Sequence, residues 1–283
     1  MLNKLLSNRL FVLYLAPFII GAFSTLSFEP FNLIIVNFLI LPIFFYFIIL
    51  INKKSKNVYR KKPFKKNFFL FGLFFGFGFY LSGISWITNS LTFDDNFKIL
   101  IPFTLIIIPL FLGLFTGFTA LLIGPYLKFD FASIIIFSGG ISLSDYLRAK
   151  LFTGFPWNLW AYSTSTADEI LQILNISGLY LYNLLIITFF TLPVIIFFKI
   201  RIIKKLFYFF ISVLIILFIY IYGNYEINKN KKLIGTNDQI TYVKVISPNF
   251  DLKYGLSKKE IEKRLINLIR YSEPDKIKKT LFI

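Results

Sequence analysis

Long apolar stretches without charged residues limit most strongly what this chain can fold into. Residues 99–123 form a run of 25 that contains no Lys, Arg, Asp or Glu. A helix crosses a bilayer core with about 20 predominantly apolar residues. The chain as a whole is 57% hydrophobic, whereas soluble domains are about 45–50% apolar. We therefore expect an integral membrane protein that is mainly α-helical.

Seven stretches are long and apolar enough to be membrane-spanning helices. They lie near residues 10–27, 31–51, 68–90, 99–123, 131–147, 171–198 and 206–223. No signal-peptide cleavage pattern follows the first stretch, so we expect it to be a retained helix. The fifth is diluted by Gly and Ser residues, which permit close helix packing. A short re-entrant or interfacial helix is the alternative for that stretch.

Basic residues concentrate in alternate loops. Loop 52–67 carries eight Lys and Arg residues and loop 199–205 carries four, whereas loop 91–98 has two Asp against one Lys. Because cytoplasmic loops collect Lys and Arg, we expect a cytoplasmic N-terminus in a bacterial inner (plasma) membrane. With seven spans, the residues after 223 would then be periplasmic. The same distribution accounts for the net charge of +17 without nucleic acid as a partner.

The chain contains neither cysteine nor histidine. These residues therefore form no disulfide and no Ser-His-Asp or Cys-His catalytic set. A zinc site would have to be built from carboxylates alone, which is unusual. We expect no metal site and no cofactor.

The tail after residue 223 changes character. Residues 239–247 are rich in β-branched and aromatic side chains, which predicts a strand. Ser257 and Glu260 have the spacing of a capping box, which predicts a helix to about Tyr271. A second strand is expected at 280–283. Because a sheet needs three or more strands to be stable, we expect a helical bundle over 1–223 and an incomplete α/β segment over 224–283.

The segment 148–170 is the richest in chemistry. Aromatic residues, a Gly, a Pro and several polar groups cluster just outside a predicted span. One interpretation is an aromatic belt, because Trp and Tyr rings suit the membrane–water interface. The other is a site for a ligand held at the membrane surface.

The residues of this segment resemble the signature of bacterial apolipoprotein N-acyltransferases. The resemblance begins at Asp145-Tyr-Leu-Arg148 and continues through Thr153-Gly-Phe-Pro-Trp157-Asn158 to Tyr162-Ser163. Further segments agree in order and spacing, namely 28–31, 76–87, 243–249 and 253–254. Mild departures are Ala161, Ser247 and Tyr254, where the family usually has Gly, Gln and Trp.

The resemblance implies a membrane bundle joined to a periplasmic nitrilase-like carbon–nitrogen hydrolase domain. The family transfers an acyl chain from a phospholipid to the N-terminal amine of a diacylglyceryl-cysteine lipoprotein. Its catalytic Glu, Lys and Cys lie in the nitrilase-like domain, beyond the part that this chain resembles. We therefore assign no catalytic residue here and expect these residues alone to be inactive. The implied partners are a phospholipid donor, a diacylated lipoprotein acceptor and membrane lipids.

Five residues are predicted to bind substrate: Trp157, Arg148, Asn158, Tyr162 and Trp86. Arg148 could bind lipid phosphate, because guanidinium groups bind phosphate oxygens in a bidentate manner. Alternatively it pairs with an Asp three residues earlier, so that both charges are neutralised near the membrane. Trp157 could instead be only an interfacial anchor.

Two functions of other classes remain as alternatives. The first is a non-catalytic membrane protein that binds lipid or lipoprotein. The second is a transporter, a class that tends to carry ionisable residues in its spans and paired repeats. The nearly uncharged spans and the lack of a visible repeat count against a transporter.

Overall fold

The computed structural model describes residues 8–56, 63–152, 154–235, 242–250, 255–273 and 280–282. It divides into two compact units, Met1–Ile87 with Pro102–Glu226, and Thr88–Ile101 with Ile227–Ile283. Parts of some predicted features lie outside the described residues. These are residues 57–62 of the basic loop, Thr153, residues 239–241 of the first predicted strand, residue 283 of the second, and Lys253 and Tyr254.

Helices make up most of the described chain, and they are numbered here in chain order. They are α1 (Ala16–Ser24), α2 (Asn37–Lys56), α3 (Pro63–Ile84), α4 (Ile101–Ile123), α5 (Phe131–Lys150), α6 (Asp168–Leu171), α7 (Leu174–Thr191), α8 (Ile202–Gly235) and α9 (Lys258–Ser272). A π-helical turn, Phe11–Leu15, precedes α1. The 3₁₀ segments Ser85–Thr92, Asp95–Leu100 and Leu192–Phe197 extend α3, α4 and α7.

Within the described residues, five helical stretches are long and apolar enough to cross a membrane. They are Ile34–Lys53, Lys65–Thr92, Asp95–Tyr126, Leu174–Phe197 and Ile202–Lys232. Each coincides with one of the seven predicted spans. The first predicted span is the shorter apolar helix Phe11–Ser27. The fifth is α5, which has 20 residues but is not among the five because polar side chains interrupt it.

Glycine contacts bring α3 against its neighbours on two sides. A Cβ at Gly78 of α3 would overlap the backbone carbonyl of Phe18, and one at Gly21 of α1 would overlap that of Phe75. On another side of α3, a Cβ at Gly76 would lie 2.7 Å from the Cα of Gly113 in α4. Small residues permit such close backbone approach between apolar helices.

Stacked aromatic rings fill the centre of the bundle. Phe44 of α2 stacks on Phe75 of α3, with ring centroids 4.0 Å apart and planes 5° apart. One turn further along α3, Phe79 stacks on Trp160 at 5.3 Å and 1°. All four rings are buried. Because Trp160 belongs to the segment that follows α5, this stack fixes that segment to the core.

The side-chain amide of Asn52 binds the turn that follows α4. The side-chain Nδ2 of Asn52 in α2 donates to the carbonyl oxygens of Gly124, Pro125 and Leu127, at 3.2, 3.1 and 3.2 Å. The last carbonyls of a helix have no partner within it. Asn52 therefore satisfies buried acceptors just after α4 and ties α2 to this turn.

The second unit contains the strand–helix–strand tail. Strands β1 (Tyr242–Lys244) and β2 (Thr280–Phe282) pair in parallel, with Tyr242 opposite Thr280. The predicted capping box of α9 is confirmed, because Ser257 Oγ accepts from the Glu260 N–H and the Glu260 carboxylate accepts from the Ser257 N–H. Beyond β1, residues 245–247 of the predicted strand are not in a strand. The nitrilase-like character of this segment stays a prediction.

Candidate functional site

The segment that leaves α5 folds back into the helical bundle. Gly154 and Asn158 have positive φ values of 74° and 51°, which turn the chain sharply. A 3₁₀ helix, Trp160–Thr164, follows. Most residues of 158–164 are buried, whereas the side chains of Trp157 and Tyr162 are 47% and 39% exposed. We call residues 154–164 the inserted loop.

A buried ion pair lies beneath the inserted loop. Arg148 and Asp145 of α5 are 2% and 5% exposed, and the Nη2 of Arg148 lies 3.1 Å from Asp145 Oδ1. The Nδ2 of Asn183 in α7 donates to the other carboxylate oxygen at 2.9 Å. The guanidinium also lies over the Tyr80 ring, 5.2 Å from its centroid. Every oxygen of this carboxylate is therefore satisfied by a side chain.

The same polar side chains hold the backbone of the inserted loop. The Nη1 of Arg148 donates to the carbonyl oxygens of Phe155 and Trp157. The Oδ1 of Asn183 accepts from the backbone N–H of Ala161 at 2.8 Å. Irregular backbone is tolerated inside an apolar bundle only where its polar groups find protein partners. Here α5 and α7 supply those partners.

Two more hydrogen bonds connect the end of the inserted loop to α2 and α7. The Nδ2 of Asn37 donates to Ser163 Oγ at 2.9 Å. The hydroxyls of Thr164 and Tyr182 lie 2.6 Å apart. The loop is thus attached to three helices that are distant from one another in sequence.

An exposed pair of tryptophans lies where the inserted loop meets the end of α3. The ring centroids of Trp86 and Trp157 are 5.2 Å apart with planes at 52°, and each side chain is 47% exposed. Such rings combine a large apolar area with an N–H donor, which suits a boundary between apolar and polar surroundings. The structure therefore brings two of the predicted site residues together.

Asn158 packs against α3 beneath this pair. It is 8% exposed, and its Nδ2 has no hydrogen-bond partner among the described residues. A Cβ at Gly83 would overlap this Nδ2. Glycine at position 83 therefore makes the space that Asn158 occupies.

Tyr162 is another exposed residue of the inserted loop, with 39% of its surface accessible. Burial raises the pKa of its phenol above the ordinary value. A phenol is neutral at physiological pH even at its ordinary pKa of about 10, so this hydroxyl can donate a hydrogen bond.

An apolar groove lies between α4 and α5. Its volume is about 520 Å³, within the range of about 300–1,000 Å³ typical of small-molecule sites. Its lining is apolar except for Thr119 and Ser144. At one end, the rings of Phe111 and Phe152 lie 5.3 Å apart, and Phe152 is 78% exposed. Phe152 is also only two residues before the inserted loop begins.

Sequence reasoning did not find Asn183, Asn37 or Tyr182. All three are polar or amphipathic residues within apolar helices, and an amide in such a helix is the signal that could have identified them. Two roles were predicted for Arg148, and the structure shows one of them, the ion pair with Asp145 three residues earlier. Phosphate contact by Arg148 stays a prediction.

The comparisons with known proteins agree with one another. Residues 20–192 match the family model described as apolipoprotein N-acyltransferase N-terminal domain. Proteins named apolipoprotein N-acyltransferase include one from Brucella suis, 32% identical over 168 residues (58% of this chain, 31% of the relative). One from Rhodopseudomonas palustris is 31% identical over 174 residues (61% and 31%). One from Rickettsia bellii is 36% identical over 110 residues (38% and 22%). The chain thus spans less than a third of the length of these relatives.

Proposed function

Because the chain belongs to the apolipoprotein N-acyltransferase family, we propose that it forms the membrane part of such an enzyme. The enzyme would transfer an acyl chain from a phospholipid to the N-terminal amine of a diacylglyceryl-cysteine lipoprotein. The match over residues 20–192 carries this proposal. The 283 residues contain no cysteine. Their role in the proposal is therefore to bind and orient lipids, and they supply no thiol nucleophile and are inactive alone.

The proposed topology has seven helices crossing the inner membrane, with the N-terminus in the cytoplasm. Basic loops 52–67 and 199–205 support this orientation. The inserted loop then lies at the periplasmic side, where both lipid substrates have their head groups. Residues 1–223 form the bundle, and residues 224–283 begin a nitrilase-like domain.

The apolar groove is the proposed site of one acyl chain of the donor phospholipid. Its lining offers an acyl chain van der Waals contact and almost no polar group that would lose hydration. The exposed ring of Phe152 connects the groove to the inserted loop. Trp86, Trp157 and Tyr162 then contact the glycerol and head-group region, and Asn158 supplies an amide donor close by. Arg148 contributes through the loop carbonyls that it holds.

Photo-crosslinking in nanodiscs tests the groove. A phospholipid with a diazirine in one acyl chain is irradiated with the protein, and the modified peptides are identified by mass spectrometry. We expect labelling to concentrate in residues 111–123 and 140–152. Leu147→Trp, which places a large ring in the groove, should lower that labelling severalfold. Ile136→Trp on the same helix, equally exposed but outside the groove lining, should leave it unchanged.

Labelling spread evenly over α8 and the other exposed helices, with no effect of Leu147→Trp, would exclude the groove as the acyl site. The alternative of a non-catalytic binding protein is not favoured, because the relatives that match are named as N-acyltransferases.

A further inference from the structure

The buried ion pair is an inefficient way to stabilise a helical bundle. Removing two charges from water is costly, and well-packed apolar residues often do as well or better. The presence of a buried ion pair is better explained where its charges fix one arrangement of the surrounding groups. Here the charges of Asp145 and Arg148 do not only neutralise each other, because each also makes a hydrogen bond to a further group.

Three side chains form two arms that reach the inserted loop. One arm runs from Asp145 through Arg148 to the carbonyls of Phe155 and Trp157. The other runs from Asp145 through Asn183 to the N–H of Ala161. Asp145 joins the arms, since its two oxygens accept one hydrogen bond from each. The arms therefore hold the loop on both sides of Asn158.

Trp157 is the exposed residue whose backbone position depends most directly on these arms. Its own carbonyl is bound by Arg148 at 2.7 Å, while its ring extends to Trp86. Loss of either arm frees the backbone on one side of this residue without touching the ring. The position of the ring therefore depends on groups that no lipid needs to contact.

We propose that Asn183, Asp145 and Arg148 are positioning residues that hold Trp157 beside Trp86 at the lipid site. The functional part of this inference rests on the proposed function. The positional part concerns the inserted loop alone. It is tested by a spectroscopic measurement that involves no acyl transfer and no lipid crosslink.

The test uses the fluorescence of Trp157 alone. The chain has three tryptophans, so Trp86→Phe together with Trp160→Phe gives a parent protein with a single reporter. Asn183→Ala is then introduced in this parent. Acrylamide quenching and the emission maximum are measured in nanodiscs at a temperature where the protein is folded. We expect the quenching constant to rise by about twofold or more, because a freed loop backbone lets the ring leave its position.

Asn52→Ala is the matched control. Asn52 is also a buried asparagine that bridges helices, and its amide donates to three carbonyls. It lies 15 residues along α2 from Asn37, which corresponds to about 22 Å at 1.5 Å per residue. A general loss of stability would affect both variants, whereas a positioning role predicts a change in Trp157 quenching for Asn183→Ala only.

Arg148→Lys provides the second variant if Asn183→Ala does not fold. Lysine keeps the positive charge beside Asp145 but lacks the planar fork that binds two carbonyls and a carboxylate together. We expect the same rise in quenching. Parent-like quenching in the folded variants, or an equal change in Asn52→Ala, would overturn the proposal. If the quenching data support the positioning role but photo-crosslinking labels no residue of the groove, the result would instead count against the proposed function.

Discussion

Replacing Gly78 by alanine should weaken the contact between α1 and α3. The added Cβ would overlap the backbone carbonyl of Phe18, and a backbone atom cannot rotate away as a side chain can. Overpacking costs about 1–3 kcal/mol, and an overlap with a backbone atom belongs in the upper part of that range, about 2–3 kcal/mol. The better helix propensity of alanine offsets about 1 kcal/mol. The expected net loss is roughly 1–2 kcal/mol of unfolding free energy.

Gly139→Ala in α5 is the matched comparison. A Cβ at Gly139 meets nothing within 4 Å, so this variant has the propensity gain without the overlap. It should be neutral or more stable by up to about 1 kcal/mol. The double variant Gly21→Ala/Gly78→Ala should lose less than the sum of the single losses, because one separation of α1 from α3 relieves both overlaps.

The assay is unfolding in mixed micelles, followed by loss of helical circular dichroism as denaturing detergent is added. In a thermal scan, the expected loss for Gly78→Ala corresponds to roughly 2–8 °C for a chain of this size. A Gly78→Ala protein as stable as Gly139→Ala would refute the reasoning, because it would mean that α1 and α3 do not approach as closely as their glycines allow.

Three other changes have distinct expected outcomes. Asn52→Asp should lower the unfolding free energy by about 1–3 kcal/mol, because a carboxylate cannot donate to the three carbonyls that follow α4. The same detergent titration measures this loss, and stability equal to that of the parent would contradict the prediction. Gly83→Ala should cost only about 0–1 kcal/mol, since the obstacle is the side-chain amide of Asn158, and a loss as large as that of Gly78→Ala would be unexpected. Because burial raises the pKa of Tyr162, its contribution to stability is present below its ordinary pKa of about 10 and is lost as pH rises through the higher folded value. Tyr162→Phe should therefore reduce the loss of stability at high pH, and an unchanged pH profile would argue against it.

Local patterns in the sequence predicted local structure well. The capping box at Ser257 was recognisable because both partners lie within four residues. The pairing of Arg148 with Asp145 was one of two alternatives for the same reason. Among the described residues, five of the predicted spans coincide with helices that are long and apolar enough to cross a membrane, since hydropathy over about 20 residues is itself a local property.

Contacts between residues distant in sequence could not be predicted in this way. Asn183 lies 38 residues from Asp145, and no spacing rule connects them. The same contact explains why the sequence leaves a re-entrant or interfacial helix as an alternative for α5, because its polar residues look unfavourable for a membrane until their partners on α7 are known. The predicted strand at 239–247 was too long because its extent depends on pairing with β2.

The glycine contacts of α3 also bear on how selective the proposed acyl site would be. One face of α4 is fixed against α3 through Gly113, and the neighbouring face forms a wall of the groove. The opposite wall, α5, is connected to α7 through the buried carboxylate of Asp145. A groove with both walls anchored from behind cannot easily widen or narrow to suit its occupant. As the proposed acyl site, the groove would therefore discriminate among acyl chains by their bends and thickness. A straight saturated chain and one kinked by a cis double bond would bind it with different affinities.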